Sequence, residues 1–266
     1  MIKGLYTAHT GMINQMNRMD VLTNNLANAD TNGFKKEGAT TQSFDDVLAF
    51  KIKDTSTNGI PTNLGYISLG VKVGEVYTDY SQGSYRETGN SYDVALDGQG
   101  FFAISFTNKD GETSFKFTRD GAFTVTTDGY LVTKDGDYVL NKAAALAGDP
   151  GQAGFIRLDP NAETTIDENG NIFQNDVFVA QLGVMDVDNY ETIEKYGENM
   201  YELVEEGNII DSNATVNQGY LEMSNVNVVS EMVEMIQISR AYESNQKLIQ
   251  TIDSMTDVAV TQIGKV

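Results

Sequence analysis

Apolar side chains recur every seven residues at both ends of this chain. The first stripe consists of Leu5, Met12, Met19 and Leu26, and Met16 and Leu22 broaden it. The second consists of Val228, Met235, Tyr242 and Ile249, with Ile238 and Ile252 beside it. A repeat near 3.5 residues keeps one side of a helix against a partner, as in coiled coils. Because helices gain most of their stability from such packing, we predict that both ends need helical partners.

The first helix is predicted from Lys3 to Asn28, where turn-forming residues up to Gly33 end it and Phe34 folds back. The last helix is predicted to begin near Asn225 or Asn227, with Ser224 or an Asn as its cap. It runs to Ile263 without proline or glycine, and Gly264 stops it. Forty residues of helix span roughly 60 Å. A single helix of this length with one apolar stripe is not stable unless that stripe packs against a partner.

The segment between the helices has the pattern of short β-strands. Asp-Gly occurs at 97–98, 110–111, 120–121, 128–129 and 135–136, and Asn-Gly at 169–170. Such pairs between apolar runs favour hairpins with type I′ turns. A strand is predicted at Leu69–Tyr80, a loop at Asp54–Asn63 and a surface excursion at Ala143–Gly154.

The predicted fold is therefore α+β, with a discontinuous helical coiled-coil domain from both termini and a central, mainly-β domain of short antiparallel strands. We assign residues 1–34 and 222–266 to the helical assembly domain and residues 81–201 to an outer β-domain. Residues 35–80 and 202–221 are predicted to connect them.

The charge of the chain argues against nucleic acid as a partner, since phosphate backbones attract Lys and Arg and the formal net charge here is −20. Most of the acidity lies in the middle, where residues 186–211 hold nine acidic side chains and Lys195 as the only base. We interpret this as a solvated surface. No apolar run is long enough for an integral membrane segment, and residues 1–28 do not form a signal peptide.

The sequence offers little for catalysis. Because the chain has no cysteine, Cys-His and zinc-cysteine sites are excluded within one chain. A Ser-His-Asp site would have to use the single histidine, His9, which we interpret instead as a solvated or packed residue beside the N-terminal stripe. A carboxylate pair stays possible, but abundant acidic residues make any choice uninformative. Asp167–Asn171 departs from a calcium loop, because glycine occupies the fourth position instead of the sixth and Phe178 stands at the twelfth. We predict no enzyme activity, no cofactor and no metal.

Polar residues on the predicted helices are more informative. Asn24 and Asn25 lie a full turn before the helix end, where asparagine is costly and a simple cap does not explain it. A packed amide can instead fix the register of neighbouring helices. Near the other end, Arg240, Glu243 and Lys247 are spaced for ion pairs within one helix, or for contacts with another subunit.

These stretches resemble the flagellar basal-body rod protein family, which includes the hook protein. The resemblance rests on the Asn24–Lys35 stretch, on Gly219–Val228, on Arg240–Asn245, on Leu96–Phe102 and on Phe117–Val132. Asp30 and Ser239 replace the customary Asn and Gln. The matches occur in order along nearly the whole chain.

The resemblance implies a structural axial subunit of the bacterial flagellum that polymerises through its terminal helices into a tubular rod. It also implies that the chain is exported by the flagellar type III apparatus, without a cleaved signal peptide. The expected partners are further copies of this chain, other rod and hook proteins and the export apparatus.

The predicted assembly interface draws on both ends of the chain. It comprises Leu5, Met12, Met19, Leu22, Asn24, Asn25, Leu26, Asn28, Gly33, Phe34, Leu221, Glu222, Ser224, Asn225, Val228, Met235, Ile238, Arg240, Tyr242, Glu243, Asn245, Ile249 and Ile252.

The size of the chain and its single modest β-domain resemble those of distal or proximal rod subunits more than those of the hook protein. We favour a distal position, with a proximal rod or hook-type protein as the alternative. From other classes, a secreted carbohydrate-active enzyme and a β-sheet adhesin stay open at this point. An enzyme would need a carboxylate pair in a cleft, and an adhesin would bind its ligand without the terminal helices.

Overall fold

A long helix at each end and short strands between them make up the computed structural model of the chain, which confirms the predicted α+β class. It describes residues 2–51, 62–109, 111–197, 199–204 and 207–263. The helices are α1 (Ile2–Ala27), α2 (Lys142–Ala147) and α3 (Val228–Val258), the last continuing into a π-helical turn at Ala259–Ile263. Short 3-10 helices lie at Gln152–Gly154 and Tyr190–Thr192. The strands are β1 (Glu37–Ser43), β2 (Val47–Lys51), β3 (Thr62–Ile67), β4 (Val71–Thr78), β5 (Tyr85–Glu87), β6 (Val94–Asp97), β7 (Phe101–Thr107), β8 (Thr113–Thr118), β9 (Phe123–Val125), β10 (Leu131–Thr133), β11 (Tyr138–Val139), β12 (Thr164–Ile166), β13 (Asn171–Gln174), β14 (Val177–Gln181), β15 (Val184–Val187), β16 (Ile193–Tyr196), β17 (Met200–Leu203), β18 (Ile209–Asp211), β19 (Thr215–Gln218) and β20 (Tyr220–Glu222).

The predicted helix bounds are confirmed to within a few residues. At the start of α3, the Asn227 side chain caps the helix by accepting a hydrogen bond from the Ser230 N–H at 3.1 Å. The predicted stop at Gly264 and nearly all of the predicted loop Asp54–Asn63 lie outside the described residues.

Contacts divide the chain into two compact units. The helical unit consists of Met1–Ala27, Lys36–Asp79 and Asn227–Val266, so it contains α1, α3 and the strands β1 to β4. In it, β1 pairs with β4 and β2 with β3, both antiparallel. The second, β-rich unit consists of Asn28–Lys35 and Tyr80–Val226. The three regions assigned from the sequence are a different division, which stays a prediction.

The β-rich unit is built on a nine-stranded antiparallel sheet, in which β7 pairs with β8, β11 and β15. Because side chains alternate across a strand, Phe102 packs into one apolar cluster while Phe101 and Ala103 pack into another. β7 is therefore buried on both faces at Phe101 and Phe102. A strand buried on both faces has a continuous run of apolar residues in its sequence, as β7 does here.

The prediction of hairpins was correct at four of the six glycine pairs, but the predicted type I′ turns were wrong. The pairs at 128–129, 135–136 and 169–170 join paired strands through three-residue loops, in which the glycine alone has positive φ. The loop at Gly111, whose neighbour Asp110 lies outside the described residues, has the same hydrogen bonds at Asn108, Gly111 and Glu112. This is the type I turn with a glycine bulge. Asp97-Gly98 and Asp120-Gly121 connect strands that do not pair with each other.

The type I′ geometry occurs instead at Asn175-Asp176, between β13 and β14. Their φ values are +49° and +61°, and they are the only described non-glycine residues with positive φ. Asn and Asp are the non-glycine residues that best tolerate this conformation, so a two-residue turn forms without glycine.

The predicted surface excursion Ala143–Gly154 was wrong in part, because it contains most of α2. Asn141 caps this helix through a hydrogen bond from the Ala144 N–H, and Gly148 ends it at φ +63°. Ala145 is fully buried in the second apolar cluster of the sheet. Its small side chain lets the helix backbone lie close to the strands, which an Ala-rich pattern does not reveal.

Candidate assembly site

Small residues line the contact between α1 and α3, which run antiparallel in the helical unit. A methyl group built on Gly11 would lie 3.1 Å from Asn245 Nδ2, and one built on Gly4 would lie 3.8 Å from Ile252 Cδ1. The two glycines are seven residues apart, as are Asn245 and Ile252. Glycine is unfavourable inside a helix. At Gly11 it leaves room for the Asn245 side chain, whereas at Gly4 a methyl group would make only an ordinary contact.

The same register continues toward the end of α1 with polar contacts. Arg18 Nη2 lies 2.9 Å from Glu234 Oε1 in a partly exposed ion pair. Asn25 is fully buried, and its Nδ2 lies 3.4 Å from Oε2 of the equally buried Glu231. Gly4, Gly11, Arg18 and Asn25 therefore form a period-seven series that faces α3.

Asn25 also joins α1 to the start of β1. Its Nδ2 donates to the Glu37 carbonyl at 2.8 Å, and the Glu37 N–H donates to its Oδ1 at 2.9 Å. The Lys36 ammonium lies 2.5 Å from Glu231 Oε1. This hydrogen bond to Glu231 raises the pKa of Lys36 above its usual value, against the opposing effect of burial. One buried amide and one buried carboxylate thus tie three elements of the helical unit together.

The predicted interface residues on the helices differ in where they lie. Ile238 and Leu22 are buried with Asn25. The half-buried group is Met12, Met19, Leu26, Met235, Tyr242, Asn245, Ile249 and Ile252, and the exposed group is Leu5, Asn24, Val228, Arg240 and Glu243. On α3 the predicted stripe lies on the side that carries Asn245 and Ile252. On α1 the period-seven series Gly4, Gly11, Arg18 and Asn25 faces α3 instead. The predicted stripe from Leu5 to Leu26 lies beside this series. Participation of all these residues in contacts between subunits stays a prediction.

Both helices keep large apolar side chains exposed on their outer faces. On α1 these are Leu5, Tyr6, Ile13 and Met16. On α3 they are Val228, Val229, Met232, Val233 and Ile236 near its start and Leu248, Met255 and Val258 near its end. Arg240 and Glu243 form no ion pair within the described part of the chain, so the helix-internal pairing considered from the sequence is absent there.

The β-rich unit contains a buried ion cluster centred on Glu222, at the end of β20. Lys35 Nζ lies 2.6 Å from Glu222 Oε1, and Arg119 Nε lies 2.7 Å from Glu222 Oε2. The Gly83 N–H donates to Oε1 at 3.0 Å. All three charged side chains are at most 4% exposed. Glu222, Lys35 and Arg119 thus join three segments that are far apart in sequence.

The cluster is electrostatically well satisfied. Arg119 also donates to the carbonyls of Gly98 and Gly100, and Lys35 donates to the Ser81 carbonyl at 2.8 Å. Burial alone would raise the pKa of Glu222, but Arg119 and Lys35 outweigh it and lower the pKa below its usual value. Glu222 is therefore held as a carboxylate, which fits a structural role.

The backbone around Gly33 fits closely into the same cluster. Gly33 has a φ of +67°, and a Cβ there would lie 2.5 Å from the carbonyl carbon of Arg119. Its N–H donates to the Glu222 carbonyl at 2.8 Å. Phe34 beside it is 1% exposed, so this position requires glycine for both conformation and space.

The other predicted residues in this unit are structural neighbours of the cluster. Leu221 and Ser224 are buried, and Asn225 Nδ2 donates to the Ser81 carbonyl at 3.1 Å. Asn28 accepts a hydrogen bond from the Thr31 hydroxyl at 3.1 Å.

Sequence reasoning did not single out Lys35, Arg119, Gly11 or Glu231. The first two lie inside the stretches Asn24–Lys35 and Phe117–Val132 that carry the family resemblance.

Among the described residues there is no group of three or more His, Cys, Asp or Glu side chains that could hold a metal ion. None of the described helices combines the length and apolar composition that a membrane span requires.

Comparison with known proteins covers the terminal helices and the β-rich unit together. Three family models match, described as flagella basal body rod protein at residues 5–35, flagellar hook protein FlgE/F/G D1 domain at 95–174 and flagellar basal body rod FlgEFG protein C-terminal at 217–262. The matched segments include most of the Gly4–Asn25 series, Arg119 and Glu222.

Similar proteins extend over the full chain. A flagellar basal-body rod protein FlgG of Buchnera aphidicola subsp. Schizaphis graminum is 36% identical, covering 96% of this chain and 97% of its own length. A FlgG of Bacillus subtilis is 33% identical with the same coverage, and a FlgF of Caulobacter vibrioides is 31% identical over all of both chains. These matches do not favour a carbohydrate-active enzyme. With helices from both ends packed as one pair and full-length likeness to rod proteins, the chain belongs to the flagellar basal-body rod protein family.

Proposed function

We propose that this protein is a non-enzymatic structural subunit that polymerises through α1 and α3 into the flagellar rod, the tube that joins the motor to the hook. The observation that carries the proposal is the antiparallel α1–α3 pair, whose outer faces leave large apolar side chains exposed. Exposed apolar surface of this kind marks a protein contact site. A subunit with one such face on each helix can add neighbours on two sides.

Within the rod we favour a distal position, with a proximal one as the alternative. The chain has 266 residues and one modest β-rich unit between its helical ends. Export by the flagellar type III apparatus is part of the same proposal, since rod subunits assemble outside the cytoplasmic membrane.

The experiment is a chromosomal deletion of this gene in its own bacterium, followed by electron microscopy of purified basal bodies. We expect a non-motile strain whose basal bodies keep a proximal rod stub but lack the hook. Loss of the whole rod would move the subunit to the proximal position. Complete basal bodies in the deletion strain would refute the structural role.

Complementation with point variants tests whether the terminal helices are needed. The wild-type gene is expected to restore motility, whereas Ile249→Asp, which places a charge on the half-buried side of α3, is expected to fail. Asp253→Asn on an exposed position of the same helix is the matched control and should restore motility. If Ile249→Asp supported normal rods, the terminal helices would not be the assembly element.

A further inference from the structure

The outer face of α1 and one outer stripe of α3 have complementary patterns. On α1, the exposed residues Tyr6, Ile13 and Asp20 are seven apart, with the apolar side chains in the first half and the carboxylate in the second. On α3, the exposed series runs through Arg240, Ser244, Leu248, Thr251 and Met255. These spacings of three and four keep the side chains on one side of the helix. The charged end of this stripe comes first and the apolar end last.

We infer that the outer face of α1 in one copy binds this stripe of α3 in the next copy, with the two helices antiparallel. In that orientation Tyr6 lies opposite Met255, Ile13 opposite Leu248 and Asp20 opposite Arg240. The inference rests on the proposed function and names the surfaces that perform it. The occupant of each surface is a second copy of this chain.

The charges select the register. Asp20 and Arg240 form no ion pair inside one described chain, so each is available to a neighbour. When Ile13 is set opposite Leu248, the opposite charges of Asp20 and Arg240 meet within one residue of the same register. Opposite charges at the edge of an apolar contact specify partner and register.

The polarity of the helices favours the antiparallel match for a tube that joins two different structures. A parallel match would set Ile13, Met16 and Asp20 opposite Val233, Ile236 and Arg240, which is equally complementary in side chains. Since α1 and α3 are antiparallel within one copy, that arrangement requires the second copy to be inverted. An inverted contact makes successive copies point in opposite directions, whereas the antiparallel contact repeats with every copy pointing the same way.

The repeated contact alternates helices around a wall. α1 binds its own α3 through the series Gly4, Gly11, Arg18 and Asn25. It binds the next copy's α3 through its outer face, which carries Tyr6, Ile13 and Asp20. Such a head-to-tail interface generates a ring or a helical tube, depending on the rotation between copies.

Engineered cysteines test the contact, because the chain contains none of its own. The full-length double variant Ile13→Cys/Leu248→Cys is expressed in the deletion strain, and its basal bodies are isolated, oxidised and run on a non-reducing gel. We expect a ladder of dimers, trimers and larger species that collapses on reduction. Each single variant should give at most a dimer.

The inverted arrangement predicts a different result. Ile13→Cys/Val233→Cys would then give the ladder and Ile13→Cys/Leu248→Cys would give none, and that outcome would overturn the inference. Basal bodies that contain the double variant without a ladder would overturn it too, while leaving the proposed function intact. Absence of the wild-type chain from basal bodies would instead remove the proposed function and this inference with it.

A charge exchange provides the second measurement. Asp20→Arg and Arg240→Asp are each expected to reduce motility severely, and the double variant Asp20→Arg/Arg240→Asp should restore most of it. Both positions are exposed in the single chain, so folding should be unaffected, and circular dichroism of each purified variant checks this. Wild-type motility in both single variants would contradict the pairing.

Discussion

Replacing Glu222 by Gln removes the charge at the centre of the buried cluster while nearly preserving the shape of the side chain. The amide oxygen of the introduced glutamine can still accept from the Gly83 N–H, as Glu222 Oε1 does at 3.0 Å. Lys35 and Arg119 then lose the carboxylate that now lies 2.6 and 2.7 Å from them. Removing one partner of a buried ion pair costs roughly 3–5 kcal/mol, because a charge is left uncompensated out of water. Two buried cations share this carboxylate, so we expect the upper part of that range.

Calorimetry of the full-length protein at pH 7 measures the effect. A change of 1 kcal/mol shifts the melting temperature of a unit of this size by roughly 2–4 °C, so the β-rich unit should melt about 10–20 °C lower in Glu222→Gln. The matched control in the same unit is Asp211→Asn, which breaks the half-exposed ion pair between Lys142 and Asp211 at 2.7 Å. Exposed pairs contribute up to about 1 kcal/mol, so this variant should melt within roughly 4 °C of wild type.

An apolar replacement of the whole cluster makes the test sharper. Lys35→Met/Arg119→Met/Glu222→Leu removes all three charges together, and apolar substitution of buried ion pairs is often neutral or stabilising. We therefore expect the triple variant to be more stable than Glu222→Gln alone. If Glu222→Gln melted as close to wild type as Asp211→Asn does, the cluster would not hold the β-rich unit together.

Two further predictions concern pH and the helix pair. Because the pKa of Glu222 is lowered in the folded protein, the carboxylate contributes stability fully above its unfolded pKa of 4.5 and loses it as pH falls through the folded value. The difference in melting temperature between wild type and Glu222→Gln should therefore shrink below about pH 4, and a difference that stayed constant down to pH 2 would contradict this cause. In the helical unit, Gly11→Leu should separate α1 from α3 and cost about 1–3 kcal/mol by overpacking, although helix propensity alone favours leucine. Amide exchange of both helices measures this loss, with Asn17→Leu on the exposed face of α1 as the control that should leave exchange unchanged or slower.

The sequence predicted the elements that depend on short-range patterns. The period of seven and the turn formers after Ala27 located α1, and the Asn at the start of α3 capped it as expected. Glycine after Asp or Asn located four hairpins, since a left-handed residue is needed wherever a three-residue loop closes. These signals are local, so tertiary contacts did not override them.

The buried charges were harder to predict because their partners are distant in sequence. Lys35 and Glu222 are separated by 187 residues and Arg119 and Glu222 by 103, and no local pattern indicates that they meet. The side of α1 that packs on α3 was also hidden. Sequence reasoning assigned contact to the large apolar residues, whereas Gly4 and Gly11 are the residues that lie against the α3 side chains of Ile252 and Asn245.

The two period-seven series on α1 have a consequence for the assembly. The inward series Gly4, Gly11, Arg18 and Asn25 and the outward series Tyr6, Ile13 and Asp20 share the same repeat. A straight helix drifts about 20° per seven residues relative to a 3.5-residue repeat, so both contacts rotate together along its length. Partners on both sides can follow this drift only by winding around α1 in the same sense. The intramolecular and proposed intermolecular contacts are thus compatible over the whole helix, and substitutions that spoil one series leave the other geometrically intact.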